Sequence, residues 1–74
     1  MIEIEFNLNL AERMGKKRQM LDIGKSISLS QLKTQLRLTD DEVGMVLINE
    51  SWAPLDCVIK DGDFVKLYPF LEGG

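Results

Sequence analysis

The sequence has no histidine, one cysteine and two prolines among its 74 residues. Without histidine it lacks the side chain that most often serves as a general base at neutral pH and as a metal ligand. Cys57 alone cannot form an intramolecular disulfide or a thiolate zinc site, and a single thiol is typical of a reducing compartment. These absences leave few side chains from which an active site could be built.

Long apolar runs and an excess of basic residues are also missing. No segment approaches the ~20 apolar residues of a membrane-spanning helix, and the acidic, alternating start Met1–Glu5 does not have the pattern of a signal peptide. The net charge of −3 argues against nucleic-acid binding, which uses a clustered basic face. We therefore expect a cytoplasmic protein that binds neither a membrane nor nucleic acid.

The residues that are present describe one small globular domain, with 45% hydrophobic and 28% charged residues. Alternating apolar residues from Ile2 to Leu10 predict a first strand, and Ala11–Gly15 a loop. A second strand is predicted around Arg18–Ile23, with Met20 and Ile23 facing inward.

The clearest start of a helix is at Ser28. Ser28 is a suitable N-cap residue, and Gln31 completes a capping box three residues later. The leucine spacing predicts a helix over Leu29–Leu36 with Lys33 on the solvent side. The cap-like string Thr39–Glu42 predicts at most one further turn.

The second half of the sequence predicts short strands joined by turns. Met45–Ile48 is a buried strand, and Ser51–Ile59 is a loop with room for a short edge strand. Asp61–Asp63 predicts a tight turn, and Phe64–Tyr68 predicts a last strand that ends before Pro69. The order of these elements indicates an α+β domain with one helix across one face of a mixed sheet.

Candidate reactive side chains in this half have simpler structural interpretations. Asp61 and Asp63 suit a turn better than an acid–base pair or a cation site. Cys57 is interpreted as a half-buried hydrophobe rather than a reactive thiol. Trp52 is interpreted as a residue of the core or its rim, with a partner-binding role as the alternative.

The unusual feature is the end of the sequence, Phe70-Leu71-Glu72-Gly73-Gly74. Terminal glycines are compatible with simple fraying. They are also compatible with a thin tail, free of side chains at its tip, that enters a partner's active site. Five residues after Pro69 reach ~17 Å when extended, which is enough for that purpose.

Two segments together, Val46–Glu50 and Ile59–Gly74, resemble the closing half of the ubiquitin-like sulfur carriers of the MoaD/ThiS family. The shared pattern is a strand ending in Asn, an Asp-Gly-Asp turn, a strand with alternating Val and Leu, and a terminal Gly-Gly. The resemblance implies a β-grasp fold, with a mixed four- to five-stranded sheet and one main helix across one face. It also implies a domain over residues 1–69 and a flexible tail over residues 70–74.

Within the family, the long connection between the first two strands and Tyr68-Pro69 favour the small subunit of molybdopterin synthase. Phe70 and Glu50 depart from the family pattern, because a second proline and a glycine are often found at these positions. The thiamine-pathway carrier therefore remains an alternative, as do a ubiquitin-like protein modifier and a non-covalent interaction module.

The resemblance implies that the chemistry takes place at Gly74. A ubiquitin-activating-like adenylyltransferase would use ATP and Mg²⁺ to form a glycyl-adenylate, and a persulfide-bearing donor protein would convert it to a thiocarboxylate. The product would then serve a large synthase subunit or a thiazole synthase. The chain would thus be a protein cosubstrate rather than an enzyme, with no bound cofactor and no metal.

The resemblance also implies roles for the residues before Gly74. Leu71, Glu72 and Gly73 would thread into the partner. The outward face of the last strand is the predicted partner interface, which consists of four residues on and after that strand: Phe64, Lys66, Tyr68 and Phe70. Packing of Phe64 and Tyr68 against the loop around Trp52 is the alternative.

Overall fold

The computed structural model describes residues 1–70. The elements in this part of the chain are β1 (Ile2–Phe6), α1 (Asn9–Met14), β2 (Arg18–Leu21), β3 (Ser26–Ser28), α2 (Leu29–Leu36), a 3₁₀ turn (Asp40–Glu42), β4 (Met45–Ile48), β5 (Ser51–Ala53), β6 (Val58–Lys60) and β7 (Phe64–Tyr68). None of the helices described here has the length and apolar character needed to cross a membrane.

Five of the strands form one mixed sheet in the order β2-β1-β7-β4-β5. β1 and β7 run parallel at its centre, and the other neighbouring pairs are antiparallel. β3 and β6 form a separate antiparallel pair. The strand nearest the C-terminus is therefore central in the sheet, with a neighbour on each side.

The core lies between the inner face of this sheet and α2. Alternate residues of the central strands are almost completely buried because successive side chains of a strand point to opposite faces. From the sheet come Ile2, Ile4, Phe6, Val46, Val65 and Leu67, and from α2 come Leu29, Leu32 and Leu36. Full burial of one such side chain is worth about 1.5–3 kcal/mol, so this layer accounts for most of the fold's stability.

The structure confirms the prediction for α2. The Ser28 hydroxyl accepts from the Gln31 N–H (3.0 Å), and the Gln31 side chain accepts from the Ser28 N–H (3.1 Å). The short turn after Thr39 is also present. The expectation that Lys33 faces solvent is wrong, because its side chain is buried and only its ammonium reaches Asp40, at 3.1 Å.

The prediction for Ile2–Leu10 and the loop after it is wrong in its second half. β1 ends at Phe6, and the chain turns sharply at Leu8, which has a φ of 55°. Residues 9–14 then form α1 rather than strand and loop, ending at Gly15. The physical reason is that Leu10 and Met14 lie one helical turn apart, so α1 places both against the core.

The predicted orientation of the second strand is also wrong at Met20. Met20 lies opposite Glu3 on the outer face and is 59% exposed, whereas Leu21 and Gln19 lie opposite the core residues Ile2 and Ile4. A shift of one position in a strand exchanges its two faces. Ile23 does contact the core, but it follows the end of β2.

Candidate functional site: the outer sheet face and the exit of the C-terminal segment

The outer face of the five-stranded sheet carries the predicted interface residues of β7. The strand register aligns one row across all five strands, formed by Arg18, Glu5, Lys66, Leu47 and Trp52. Phe64 lies opposite Glu3 on one side of this row, and Tyr68 lies opposite Met45 on the other. Phe64, Lys66 and Tyr68 therefore share one face of one strand, as predicted, and each is partly exposed.

The cations of the outer face are paired with carboxylates. The Lys66 ammonium lies 2.8 Å from Glu50, and this hydrogen bond raises the pKa of Lys66. The Arg18 guanidinium lies 3.0 Å from Glu3 and 3.1 Å from Glu5. Because each positive group has a nearby negative partner, the outer face has no strong charge of one sign.

Phe64 lies between these two cations. Its ring centroid is 5.9 Å from the Arg18 guanidinium carbon and 5.5 Å from the Lys66 nitrogen, both within the range of a cation–π interaction. The ring is thus held in place by the groups around it. It presents a partly exposed aromatic surface next to Lys66 on the outer face.

Trp52 belongs to the same face, and its interpretation as a core or rim residue is wrong. Its side chain is 74% exposed, the most exposed large apolar side chain of the described residues. β5 is an edge strand, and the two-residue connection Asn49–Glu50 pairs Trp52 with Leu47 of β4, which faces outward. Recognising that hairpin in the sequence would have placed Trp52 outside, because the loop length fixes the register.

The Asn and Asp-Gly-Asp parts of the sequence motif have a structural role. Asn49 donates to the Asp63 carboxylate (2.9 Å) and accepts from the Phe64 N–H (2.9 Å), while Asp63 also accepts from the Lys60 N–H (2.8 Å). The Met1 ammonium donates to Asp61 and lowers the pKa of that carboxyl. The turn interpretation of both aspartates is confirmed.

Two further observations concern reactive groups. Cys57 is half-buried against the core, and burial raises the pKa of its thiol, so it is the small hydrophobe that we predicted. Within residues 1–70, no three potential ligands of the His, Cys, Asp or Glu type come together to hold a metal ion.

At the carboxyl end of β7 the chain leaves the sheet over the start of β4. The Gly44 N–H donates to the Tyr68 carbonyl (2.9 Å), and Phe70 lies directly on Gly44. Phe70 remains 53% exposed beside a groove formed by α1 and the 3₁₀ turn. The predicted functional residues Leu71, Glu72, Gly73 and Gly74 lie outside the described residues, so their roles stay predictions.

A mixed sheet with central parallel β1 and β7, covered on one face by α2, defines a ubiquitin-like β-grasp protein. The sequence matches the ThiS family over residues 4–74, and the chain belongs to that family. The fold and the family resemblance predicted from the sequence are therefore confirmed. The first helix, α1, is added to the single main helix that we expected.

Solved structures with this fold include proteins of three descriptions. SAMP1 from Haloferax volcanii is 24% identical, with a TM-score of 0.69 over 99% of this chain and 98% of that one. A Pyrococcus furiosus protein assigned as molybdopterin converting factor, subunit 1, is 15% identical, with a TM-score of 0.71 over 95% and 97%. The thiamine biosynthesis protein ThiS from Geobacter metallireducens is 24% identical, with a TM-score of 0.58 over 97% and 99%. The comparison with curated proteins gave no match.

Proposed function

We propose that this protein is a sulfur carrier whose Gly74 carboxylate is adenylated and then converted to a thiocarboxylate. The observation that carries the proposal is the Gly73-Gly74 ending on a domain of the ThiS family. The geometry supports it, since β7 is central in the sheet and delivers the chain to the surface at Phe70. The domain is then a rigid support, and the reacting atom belongs to the main chain.

The chemistry follows from the weak reactivity of a carboxylate, which is ionised at neutral pH. A partner adenylyltransferase transfers AMP from ATP with Mg²⁺ and releases pyrophosphate, which gives the carbonyl a good leaving group. The terminal sulfur of a partner's persulfide displaces AMP, and a thiol then reduces the S–S bond to leave the thiocarboxylate. Gly73 and Gly74 admit these reactions because they have no side chains to obstruct the approach.

We infer that the adenylyltransferase docks on the outer sheet face. Trp52, Phe64 and Tyr68 are aromatic side chains on one surface, and aromatic residues dominate the energetic centre of protein interfaces. Lys66, paired with Glu50, lies between Phe64 and Tyr68, and Arg18, paired with Glu3 and Glu5, lies on the edge strand β2. Docking here leaves the chain free to extend from Phe70 toward the partner's active site.

The primary test is pyrophosphate exchange with the adenylyltransferase of the same cell. Addition of the wild-type protein should stimulate exchange between labelled pyrophosphate and ATP. Deletion of Gly73 and Gly74 should abolish it, and so should an extra alanine after Gly74, because the carboxylate is then displaced. Both variants should unfold at the wild-type temperature, since chain ends contribute little burial. Undiminished exchange with either variant would contradict the proposal.

The mass of the protein isolated from its own cell tests the second step. Replacement of one carboxylate oxygen by sulfur adds about 16 Da, and fragmentation should place that gain on Gly74. A protein modifier would instead appear as isopeptide adducts on lysines of other proteins. The fold likeness to SAMP1, named a small archaeal modifier protein, is the observation that favours this second function.

For the pathway, we propose molybdopterin synthesis. The connection between β1 and β2 is long enough to contain α1, which agrees with the molybdopterin branch of the family better than with the tight turn expected of thiamine carriers. The test supplies the thiocarboxylated protein to a large molybdopterin synthase subunit or to a thiazole synthase, each with its small-molecule substrate. Consumption of the thiocarboxylate by the thiazole synthase alone would assign the thiamine pathway instead.

A further inference from the structure

Gly44 is a glycine that the backbone conformation does not require. Gly15, Gly24 and Gly62 have positive φ angles of 73°, 71° and 91°, where a side chain is strained, but Gly44 does not have a positive φ. A different constraint acts at this position. A Cβ on Gly44 would lie 2.7 Å from the Cα of Phe70, 2.8 Å from its Cδ1 and 2.9 Å from its Cγ. The absent side chain therefore makes space for Phe70.

The segment around Gly44 is firmly anchored. Val43 is completely buried, and the preceding turn is closed by Glu42, which accepts from the Thr39 N–H (2.9 Å). Arg13 of α1 donates to Glu42 (2.8 Å) and to the Arg37 carbonyl (2.9 Å), which ties α1 to this turn and to the end of α2. The backbone at Gly44 is thus held in place, and an atom that clashes with a side chain added there must move away from it.

Phe70 is the group that would move. It is 53% exposed, and it follows Pro69, beyond the last residue of β7. The nearest main-chain bond that holds this region to β4 is the one from the Gly44 N–H to the Tyr68 carbonyl. To restore the ordinary 3.4 Å contact, a Cβ on Gly44 would displace the Phe70 backbone by about 0.7 Å or more.

We propose that Gly44 is a positioning residue, whose lack of a side chain lets Phe70 lie on the start of β4 and so fixes the line along which the C-terminal segment leaves the domain. The inference rests on the proposed function for its consequence. The docking face and Phe70 are parts of the same domain, so the position of Phe70 sets the point from which the last four residues reach toward a docked partner. A misplacement of about 1 Å can reduce a reaction rate by about a hundredfold.

The test compares Gly44→Ala with Gly24→Ala. Gly24 is the matched control because its φ is positive but a Cβ there meets no atom within 4 Å. We expect Gly44→Ala to lower kcat/KM for pyrophosphate exchange by about 10- to 100-fold, with most of the loss in kcat because the docking face is intact. Gly24→Ala should lower the melting temperature and leave kcat/KM of the folded protein at its wild-type value. Equal kcat/KM for wild type and Gly44→Ala would overturn the proposal.

A second substitution at Phe70 separates displacement from loss of structure. Phe70→Gly removes Cδ1 and Cγ, two of the three close atoms, and gives the backbone freedom to move away. Measured in the Phe70→Gly background, Gly44→Ala should then cost less than about threefold, which a double-mutant cycle reports as coupling between the two sites. Additive losses would overturn the proposal.

NMR tests the contact between Gly44 and Phe70 without any partner enzyme. The wild-type protein should show a nuclear Overhauser effect between the Gly44 Hα protons and the Phe70 ring, and Gly44→Ala should abolish it while the core signals stay unchanged. Its absence from the wild type would overturn the proposal even if Gly44→Ala does not fold. If wild-type protein supports no pyrophosphate exchange while this contact is present, the proposed function fails and the positioning of Phe70 stands.

Discussion

The two ends of β7 are held in different ways. At its amino end, the Asn49 and Asp63 side chains make hydrogen bonds to each other and to the main chain of the neighbouring turn. At its carboxyl end, the Tyr68 carbonyl accepts from the Gly44 N–H, and Phe70 lies on a residue that has no side chain. The amino end is therefore held by side-chain hydrogen bonds, and the carboxyl end is the one from which the proposed function has the chain reach a partner.

The two ends of β7 show that the Asn and Asp-Gly-Asp positions of the family motif have a different role from that proposed for its Gly-Gly ending. The Asn and Asp-Gly-Asp positions stabilise the amino end of β7, where they hold Phe64 beside Lys66 and Arg18. The Gly-Gly positions carry the proposed chemistry at the opposite end. A substitution can therefore damage one end of β7 while it spares the other.

The largest loss of unfolding free energy is expected from Leu67→Ala. This substitution removes a buried side chain from the middle of β7 and so destabilises both ends of the strand. Leu67 is completely buried on the inner face of β7, and truncation of such a leucine costs about 2–5 kcal/mol of unfolding free energy. Lys66→Ala is the matched control on the same strand, because it loses an ion pair with a largely exposed Glu50, worth under about 1 kcal/mol. Urea unfolding measures both, and equal losses would contradict the assignment of the two faces of β7.

The next largest loss of stability is expected from Asn49→Ala, which removes hydrogen bonds at the amino end of β7 only. It leaves the Asp63 carboxylate and the Phe64 N–H without the Asn49 side chain and places alanine at a φ of 51°, so we expect a loss of about 1.5–3 kcal/mol in urea unfolding. Asn49→Gly removes the same bonds without the conformational cost and should lose less. The kcat of pyrophosphate exchange by the folded fraction should be unchanged, because the exit end of β7 is untouched, whereas KM can rise through Phe64 on the docking face. A specific loss of kcat would show that the two ends are coupled.

Trp52→Ala affects the docking face while sparing both ends of β7. Since Trp52 is 74% exposed, the unfolding free energy should change by under about 0.5 kcal/mol. Calorimetric affinity for the adenylyltransferase should fall by about 1–2 kcal/mol. Val58→Ala, at an exposed residue of the separate β3–β6 pair, should change neither quantity. Wild-type affinity for Trp52→Ala would place the partner on another surface.

Sequence reasoning succeeded where the determining contacts are local. The capping box at Ser28 involves residues three positions apart, so the start of α2 could be predicted to the residue. The turn at Asp61–Asp63 could be predicted because aspartate and glycine favour turns for their own local reasons. The Gly-Gly ending was visible as a motif, and the role that we propose for it stays a prediction.

Sequence reasoning failed where tertiary contacts decide between local alternatives. Leu8 and Leu10 continue the alternation of β1, and only the turn at Leu8 and the burial of Leu10 in α1 show that the strand has ended. The Asn49–Glu50 hairpin lacks the glycine that marks such turns in a sequence. Glu50 occupies the position instead, with a φ of 70°, and its carboxylate pairs with Lys66. The contact of Gly44 with Phe70 joins distant parts of the sequence, so no local pattern reveals it.

The smallest effect is expected at Glu42, which supports the turn beneath the exit end of β7. The hydrogen bond from the Thr39 N–H, reinforced by Arg13, holds the pKa of Glu42 below its ordinary value of 4.5. The folded state therefore binds fewer protons than the unfolded state around this pH. The stabilisation is complete above pH 4.5 and is lost as the pH falls through the lowered pKa.

Glu42→Gln isolates this contribution, because glutamine keeps a neutral acceptor for Thr39 but loses the charge that faces Arg13. The melting temperature of the variant should be slightly lower than that of wild type at pH 7, and the difference should vanish as both proteins are acidified below the folded pKa. Glu12→Gln, an equal change of charge at an exposed position of α1, should give a difference that varies less with pH. A difference for Glu42→Gln that persists in acid would mean that the turn beneath Gly44 depends on the shape of the glutamate rather than its charge.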